Sequence, residues 1–251
     1  MLAALIAFVA RRARSLTVGG AAVATVVGTV AVAAGWNWGV LLIVYFASST
    51  LLSRSGRALK EARTALIVEK GGERDAVQVL ANGAIFTGAA IAMLVRPDVR
   101  WVALGAGSLA AAAADTWATE IGTLYGGEPR SILSWRRVPA GTSGGITPIG
   151  TLAAVSGAMF VAIVAVLLGW TSAVARHIAL GGVFGALFDS VLGATVQSRR
   201  WCESCGRETE RTTHDCGALT RPLRGMNWLD NDLVNFLSNA AGGLLAALLS
   251  R

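Results

Sequence analysis

Five acidic residues stand in stretches of sequence that are otherwise almost free of charge: Asp115, Glu120, Asp189, Asp230 and Asp232. Helical spacing groups them with amides and glycines. Gly185, Asp189, Gly193 and Gln197 recur every four residues, Asn231, Asn235 and Asn239 do the same, and Asp115, Thr119 and Gly122 form a third stripe. Glu120 falls about 140° around that third helix from Asp115. Clustered carboxylates with amides are the ligand set of a hard cation such as Mg²⁺. Asp115, Glu120, Asp189 and Asp232 are therefore the candidate metal ligands and catalytic residues, with Asn82, Asn231, Asn235, Gln78 and Gln197 as oxygen-orienting amides. Two alternatives stay open: a polar network that packs helices together, and, for Asp230 and Asp232, a place at a helix end.

Two further segments carry complementary chemistry. Gly141-Thr142-Ser143-Gly144-Gly145 offers backbone N–H groups that an anion can approach unobstructed, just before a predicted helix. It lacks the Lys of a P-loop, and glycine-rich loops often only turn. Lys70 and Arg74, beside Gly71-Gly72, are cations that would bind phosphate or serve only as topology determinants. Cys202, Cys205, His214 and Cys216 give C-x2-C-x8-H-x-C, four soft ligands in fifteen residues, which fits a structural tetrahedral Zn²⁺. The alternative is a loop with unligated thiols. A complete set of four ligands leaves no open position for catalysis, and His177 is expected to lie apart from all of this.

The elements that must position these groups follow from composition. The chain has 251 residues, of which 54% are hydrophobic and 15% charged, with a mean hydropathy of +0.57. A soluble domain carries about a quarter charged residues, so the chain is too apolar to present its surface to water. Three Cys and five Pro exclude a disulfide scaffold or collagen. The prediction is an all-α polytopic membrane bundle of about seven spans, near 16–34, 36–53, 76–95, 101–121, 149–170, 178–198 and 228–250, each close to the roughly 20 apolar residues that cross a bilayer. The first two share an uncharged run that Gly35-Trp36-Asn37-Trp38-Gly39 should break by a turn at an interface.

Of the 22 Lys and Arg, 18 fall in residues 1–15, 54–75, 122–148 and 199–227. That asymmetry predicts a cytoplasmic amino terminus and three cytoplasmic loops, one of them carrying the cysteines. The net charge of +7 is then a matter of topology and not of nucleic-acid binding. All five acids fall on the cytoplasmic side of this arrangement. Charged side chains within a span cost at least about 2.5–3.5 kcal/mol, so they need a reason to be there. Residues 2–10 are apolar but too short to cross, and are expected to form a membrane-associated helix.

These residues resemble an integral membrane family that includes prokaryotic proteins, eukaryotic transmembrane protein 19 and plant phytyl phosphate kinase. The resemblance runs over nearly the whole chain. It rests on Ser48-Ser49, on Lys70-Gly71-Gly72 followed by Gln78 to Gly83, and on Ala114-Asp115-Thr116-Trp117-Ala118-Thr119-Glu120-Ile121-Gly122. Gly141 to Gly145, Asp189 to Gln197, and Asn231-Asp232-Leu233-Val234-Asn235 complete it. Ser is common in the family where Thr119 stands, and eukaryotic members lack the cysteine segment, which points to a stabilising role for it.

The resemblance implies a kinase that converts a prenyl monophosphate to its diphosphate with a nucleoside triphosphate, CTP being the donor of the plant activity. The implied setting is the plasma membrane of a prokaryote, with membrane lipids around the bundle. Two other classes use similar residues. A nucleotidyltransferase acting on a lipid phosphate would release pyrophosphate, and a transporter or flippase of polyprenyl phosphate would use intramembrane acids as a relay.

Overall fold

The structure, a computed structural model, describes residues 1–64 and 72–250. Lys70 and Gly71 lie outside the described residues. The elements run α1 (Leu2–Arg12), α2 (Val18–Ala34), α3 (Trp36–Arg54), α4 (Arg57–Thr64), α5 (Ala76–Val95), α6 (Val99–Tyr125), β1 (Arg130–Ser131), β2 (Gly145–Ile146), α7 (Pro148–Leu167), α8 (Ser172–Thr195), β3 (Arg199–Cys202), β4 (Arg207–Thr209), β5 (Arg221–Arg224) and α9 (Asn231–Leu249). Every one of the seven apolar stretches contains a helix. Among the described residues, α3, α5, α7, α8 and α9 are each long and apolar enough to cross a membrane, and α2, with 17 residues, is a shorter apolar helix.

The helix starts are written locally. Thr17, Asp75, Asp98, Thr147, Thr171 and Asp230 each accept a hydrogen bond from a backbone N–H of the first turn. Asp75 and Gln78 make a reciprocal capping box. Pro148 opens α7. The cap at Thr171 starts α8 six residues before the apolar run that hydropathy alone picks out, because its polar first turn Ser172–His177 is helical too.

The 27-residue α6 is the axis of the bundle. It packs against α3, α5, α7, α8 and α9. From Val102 to Ala114 it is buried almost all round, the burial pattern of a central helix. The run Ala110–Ala114 gives it little width, and glycines on its neighbours match it. A side chain at Gly242 on α9 would meet Ala111 Cβ at 2.9 Å, and one at Gly157 on α7 would meet the Ala113 carbonyl at 2.9 Å. Close backbone approach of this kind is how small residues hold membrane helices together.

Three features depart from the sequence reading. Residues 54–75 were expected to form a loop, yet Arg57–Thr64 is helical. The cysteine segment is a three-stranded antiparallel sheet in the order β4-β3-β5, built on a short hairpin and not on an irregular loop. Gly35 does break α2 from α3, with φ +147, but only Trp36 of the two indoles is exposed. Trp38 is 2% exposed and packs on Phe86 at 5.2 Å and Trp170 at 6.1 Å between ring centroids. The ring lies against Gly105 of α6, where an added side chain would meet it at 2.7 Å, and burial of so large an apolar surface outweighs the preference for an interface.

Candidate functional site

The ends of α3, α5, α6, α8 and α9 and the glycine-rich loop enclose one cavity of about 530 Å³, within the size range of small-molecule sites. Asp115, Glu120, Asp189, Asp232, Arg74, Gln78, Asn82, Asn231, Asn235 and all of Gly141–Gly145 line it. Residues separated by more than a hundred positions thus meet in one place. Gln197 does not line it. That amide is buried behind Gly193, where a side chain on the glycine would meet Gln197 Oε1 at 3.2 Å and the Gly144 nitrogen at 2.9 Å.

Each acid is held differently. Asp189 accepts a hydrogen bond from Ser238 at 2.9 Å, across the α8–α9 contact. Asp232, in the first turn of α9, is 5% exposed, where the positive end of the helix favours its charge. Asp230 also lines the cavity and is the cap of the same helix, accepting from Leu233 N at 3.0 Å. Glu120 does share the cavity despite its offset from Asp115, but its carboxylate faces α3 and α4. It accepts from Ser53 at 2.6 Å and from Lys60. Lys60, only 7% exposed, also donates to the carbonyls of Leu52 and Ser53 at 2.8 and 2.9 Å. This bracket over the end of α3 was not legible in sequence, where Lys60 is one cation among six in its segment.

The amides are interlinked. Asn82 donates to the Gln78 carbonyl at 3.0 Å, and Asn239 reaches across from α9 to Ala81 O at 3.2 Å and Asn82 Oδ1 at 3.3 Å. Arg74 is fixed through its backbone, which pairs with the segment before α2. Thr17 N donates to Arg74 O at 3.1 Å and Arg74 N to Ser15 O at 3.0 Å. Its guanidinium lies 5.5 Å over the Phe46 ring.

The glycine-rich loop is closed by the small β1–β2 ladder and by Gly145 N donating to Thr142 O at 2.9 Å. Gly144 requires glycine twice over. Its φ is +77, and a side chain there would strike the Ala194 nitrogen at 2.6 Å and the Ser190 carbonyl at 2.7 Å on α8. The loop is also gripped by the cysteine segment. Arg199, 2% exposed, donates to Ser143 O at 2.6 Å, and Ser143 donates to Glu210. Sequence reasoning missed both Arg199 and Glu210, since nothing local distinguishes them from the other charges around the cysteines.

Cys202, Cys205, His214 and Cys216 form a second centre. One ligand atom from each lies within 4.8 Å of all the others, so the four could hold a metal ion. Cys202 and Cys216 sulfurs are 3.6 Å apart, and His214 Nδ1 is 3.3 Å from Cys216 Sγ. Thiolates on a tetrahedral ion with bonds of about 2.3 Å stand roughly 3.7 Å apart. Hydrogen bonds from the Ala218 backbone and from His214 lower the Cys216 thiol to about 6, while its hydrogen bond to Cys216 raises Cys205 to about 11. Among the described residues this is the one set of three or more Cys, His, Asp or Glu that converges so tightly. The carboxylates of the larger cavity are spaced more widely. His177 is apart from both centres, paired with Ser250 at 2.9 Å.

Comparison with known proteins covers the same span as these features. Protein PGR of Arabidopsis thaliana is 29% identical over the full length of this chain and 94% of its own. An uncharacterized membrane protein of Methanocaldococcus jannaschii is 30% identical over 86% of this chain and 77% of that protein. Protein VTE6, chloroplastic, of Arabidopsis thaliana is 28% identical over 94% of this chain and 66% of its own. No solved structure matches. The family model described as "Integral membrane protein DUF92" matches residues 1–243, and the chain belongs to that family of integral membrane proteins.

Proposed function

We propose that this protein is a membrane phosphotransferase that converts a prenyl monophosphate to the diphosphate with a nucleoside triphosphate, CTP being favoured, and with Mg²⁺. The observation that carries the reading is the convergence of Asp115, Asp189 and Asp232 with the glycine-rich loop and Arg74 on one cavity. The family resemblance to plant phytyl phosphate kinase supports the substrate class. The seven helices α2, α3 and α5–α9 would all span the membrane of a prokaryotic cell, with the amino terminus, the cavity and the cysteine sheet on the cytoplasmic side, as the distribution of Lys and Arg suggests.

The donor set fits the proposed cation. Carboxylates with amide and hydroxyl oxygens suit Mg²⁺, which keeps several waters and binds through one or two carboxylates plus substrate phosphates. Oxygens on one Mg²⁺ lie within roughly 3–4 Å of each other, so acids spaced more widely than this would reach the ion in part through its waters. Asp115, Asp189 and Asp232 would hold the ion directly or through water, and Glu120, already bound by Lys60 and Ser53, would reach it through water. When bound, Mg²⁺ would neutralise charge on the phosphate oxygens.

The chain's own residues would do the rest. Asn82, Asn231 and Asn235 would orient oxygens, with Gln78 shared between its helix cap and the cavity. Gly141–Gly145 would cradle the triphosphate through backbone N–H groups, and Arg74, with Lys70 from its neighbouring segment, would hold the acceptor phosphate. That phosphate is already anionic near pH 7, since its second pKa is about 6. Transfer then needs in-line positioning and no dedicated base. The cysteine centre would hold Zn²⁺ as a structural ion that keeps Arg199 and Glu210 in place against Ser143.

The direct test is transfer of label from γ-labelled CTP or ATP to phytyl or geranylgeranyl monophosphate by the protein in lipid nanodiscs with Mg²⁺. Labelled prenyl diphosphate is the expected product. Release of pyrophosphate with the nucleotide retained on the lipid would instead establish the nucleotidyltransferase.

A further inference from the structure

A second, narrow cavity of about 100 Å³ lies between α1, α2, α3 and α5. Ile6, Val27, Val32, Leu42 and Phe46 are among its walls, and it follows α2 from Ala24 to Val32, about 12 Å of helix at 1.5 Å per residue. Apolar crevices are unremarkable where helices meet lipid. This one ends on Arg74, Gln78 and Asn82, and those three residues also line the polar cavity of carboxylates.

Arg74 therefore stands where an apolar slot opens into a charged chamber, and its position is fixed. Its backbone is pinned to Ser15 and Thr17, its guanidinium covers the Phe46 ring, and Nη1 is 3.4 Å from Thr50 Oγ1. A cation stacked on a ring keeps its edge available for an anion. A ligand that satisfies both halves of this junction has one apolar chain and one anionic head.

We infer that the crevice holds the phosphate-proximal isoprene units of the acceptor, the rest of the chain running out into lipid, with its phosphate at Arg74 and the accepting oxygen directed into the carboxylate cavity. The identity of the head group rests on the kinase reading above. Helix α1 is then a wall of the substrate site. Its small residues Ala7 and Ala10 pack inward, and Arg54 ties its end to α3 through the Ala13 carbonyl and, at 2.8 Å, through Ser15 Oγ.

The test uses the whole protein in nanodiscs and a geranylgeranyl monophosphate analogue bearing a diazirine on the second isoprene unit from the phosphate. Cross-links mapped by mass spectrometry are expected on the crevice segments of α1, α2 and α3. Unlabelled geranylgeranyl monophosphate should reduce them at least tenfold, and phosphatidic acid should not. Gly83→Leu should reduce labelling to a similar extent, because a side chain there projects towards Val27, with its first carbon 3.6 Å from Val27 Cγ1. Ala24→Leu fills the same space from α2 and serves if Gly83→Leu does not fold. Labelling spread over all lipid-facing helices, equal competition by phosphatidic acid, or full labelling of a folded filled variant would each overturn the proposal. Transfer of label from nucleotide is measured separately on the same samples. Cross-links in the crevice without transfer would remove the kinase reading and leave the chain site, whereas transfer with cross-links elsewhere would do the reverse.

Discussion

Arg199 donates to the Ser143 carbonyl at 2.6 Å while almost fully buried, so the first strand of the cysteine sheet grips the middle of the glycine-rich loop. The Ser143 hydroxyl, donating to Glu210, makes a second clasp from the same sheet. A loop whose glycines would otherwise sample many conformations is held from outside.

If the cysteine centre holds a metal ion, its removal should act at a distance on the cavity. Cys202→Ser, or chelation of the wild type, is expected to lower phosphoryl transfer about tenfold or more, in the range of outer-shell effects at metal sites, and to raise the KM for nucleotide more than that for lipid. Metal content measured by plasma spectrometry should fall from one ion per chain, and added Zn²⁺ should restore the chelated protein. Unchanged kinetics in metal-free protein would mean that the sheet holds the loop unaided.

Asp115→Asn and Asp189→Asn remove charge while preserving shape and most hydrogen-bonding capacity. If these carboxylates hold Mg²⁺, transfer should fall on the order of a hundredfold or more, comparable to loss of a key electrostatic group in other enzymes. Thermal stability should stay within about 1 kcal/mol, since a buried charge is lost and not gained. Raised Mg²⁺ should partly rescue either variant. Wild-type rates in both would show that the acids serve helix packing.

Much of this arrangement was legible in sequence because insertion into a membrane makes polar residues conspicuous. Asp115, Asp189 and Asp232 stood out against uncharged runs, and the spacing of Gly185, Asp189 and Gly193 announced a face on which another helix packs; a side chain at Gly185 would indeed meet the Ser238 carbonyl at 2.9 Å. Outside the apolar runs that contrast disappears. Lys60, Arg199 and Glu210 lie in segments rich in charge, where partner choice is decided by tertiary position and not by local pattern. Trp38 misled for a related reason: an indole beside a helix break fits a membrane interface as well as a core, and only the placement of Phe86 and Trp170 decides between them.

Gly144→Ala should be costly in both stability and function. The positive φ alone costs an L residue about 1 kcal/mol, and the new methyl would also force the loop away from Ala194 and Ser190 on α8. A shift of the loop by even a fraction of an ångström moves the N–H groups proposed to hold phosphate. The expected outcome is a loss of nucleotide affinity larger than the loss of melting temperature explains. Gly169, just past α7, with φ +97, open space around it and no place in the cavity lining, is the control: Gly169→Ala should carry the backbone cost alone and leave affinity intact.

Lys60 and Glu120 permit a sharper separation of structure from chemistry. With its partner gone, Glu120 in Lys60→Met would keep Ser53 but lose its cation, while the carbonyls of Leu52 and Ser53 would lose their donor. Breaking a largely buried pair from one side costs about 2–4 kcal/mol. Glu120→Gln retains an acceptor for Lys60 and should cost less. If the pair is purely a bracket over the end of α3, the double variant should recover much of the stability lost in Lys60→Met, and the activity of all three should follow their stability. If Glu120 also reaches the cation through water, Glu120→Gln should raise the Mg²⁺ concentration needed for half-maximal transfer several-fold, more than its small loss of melting temperature explains, an effect that Lys60→Met would not reproduce. Mg²⁺ titrations of the two single variants beside their melting curves therefore separate the two roles.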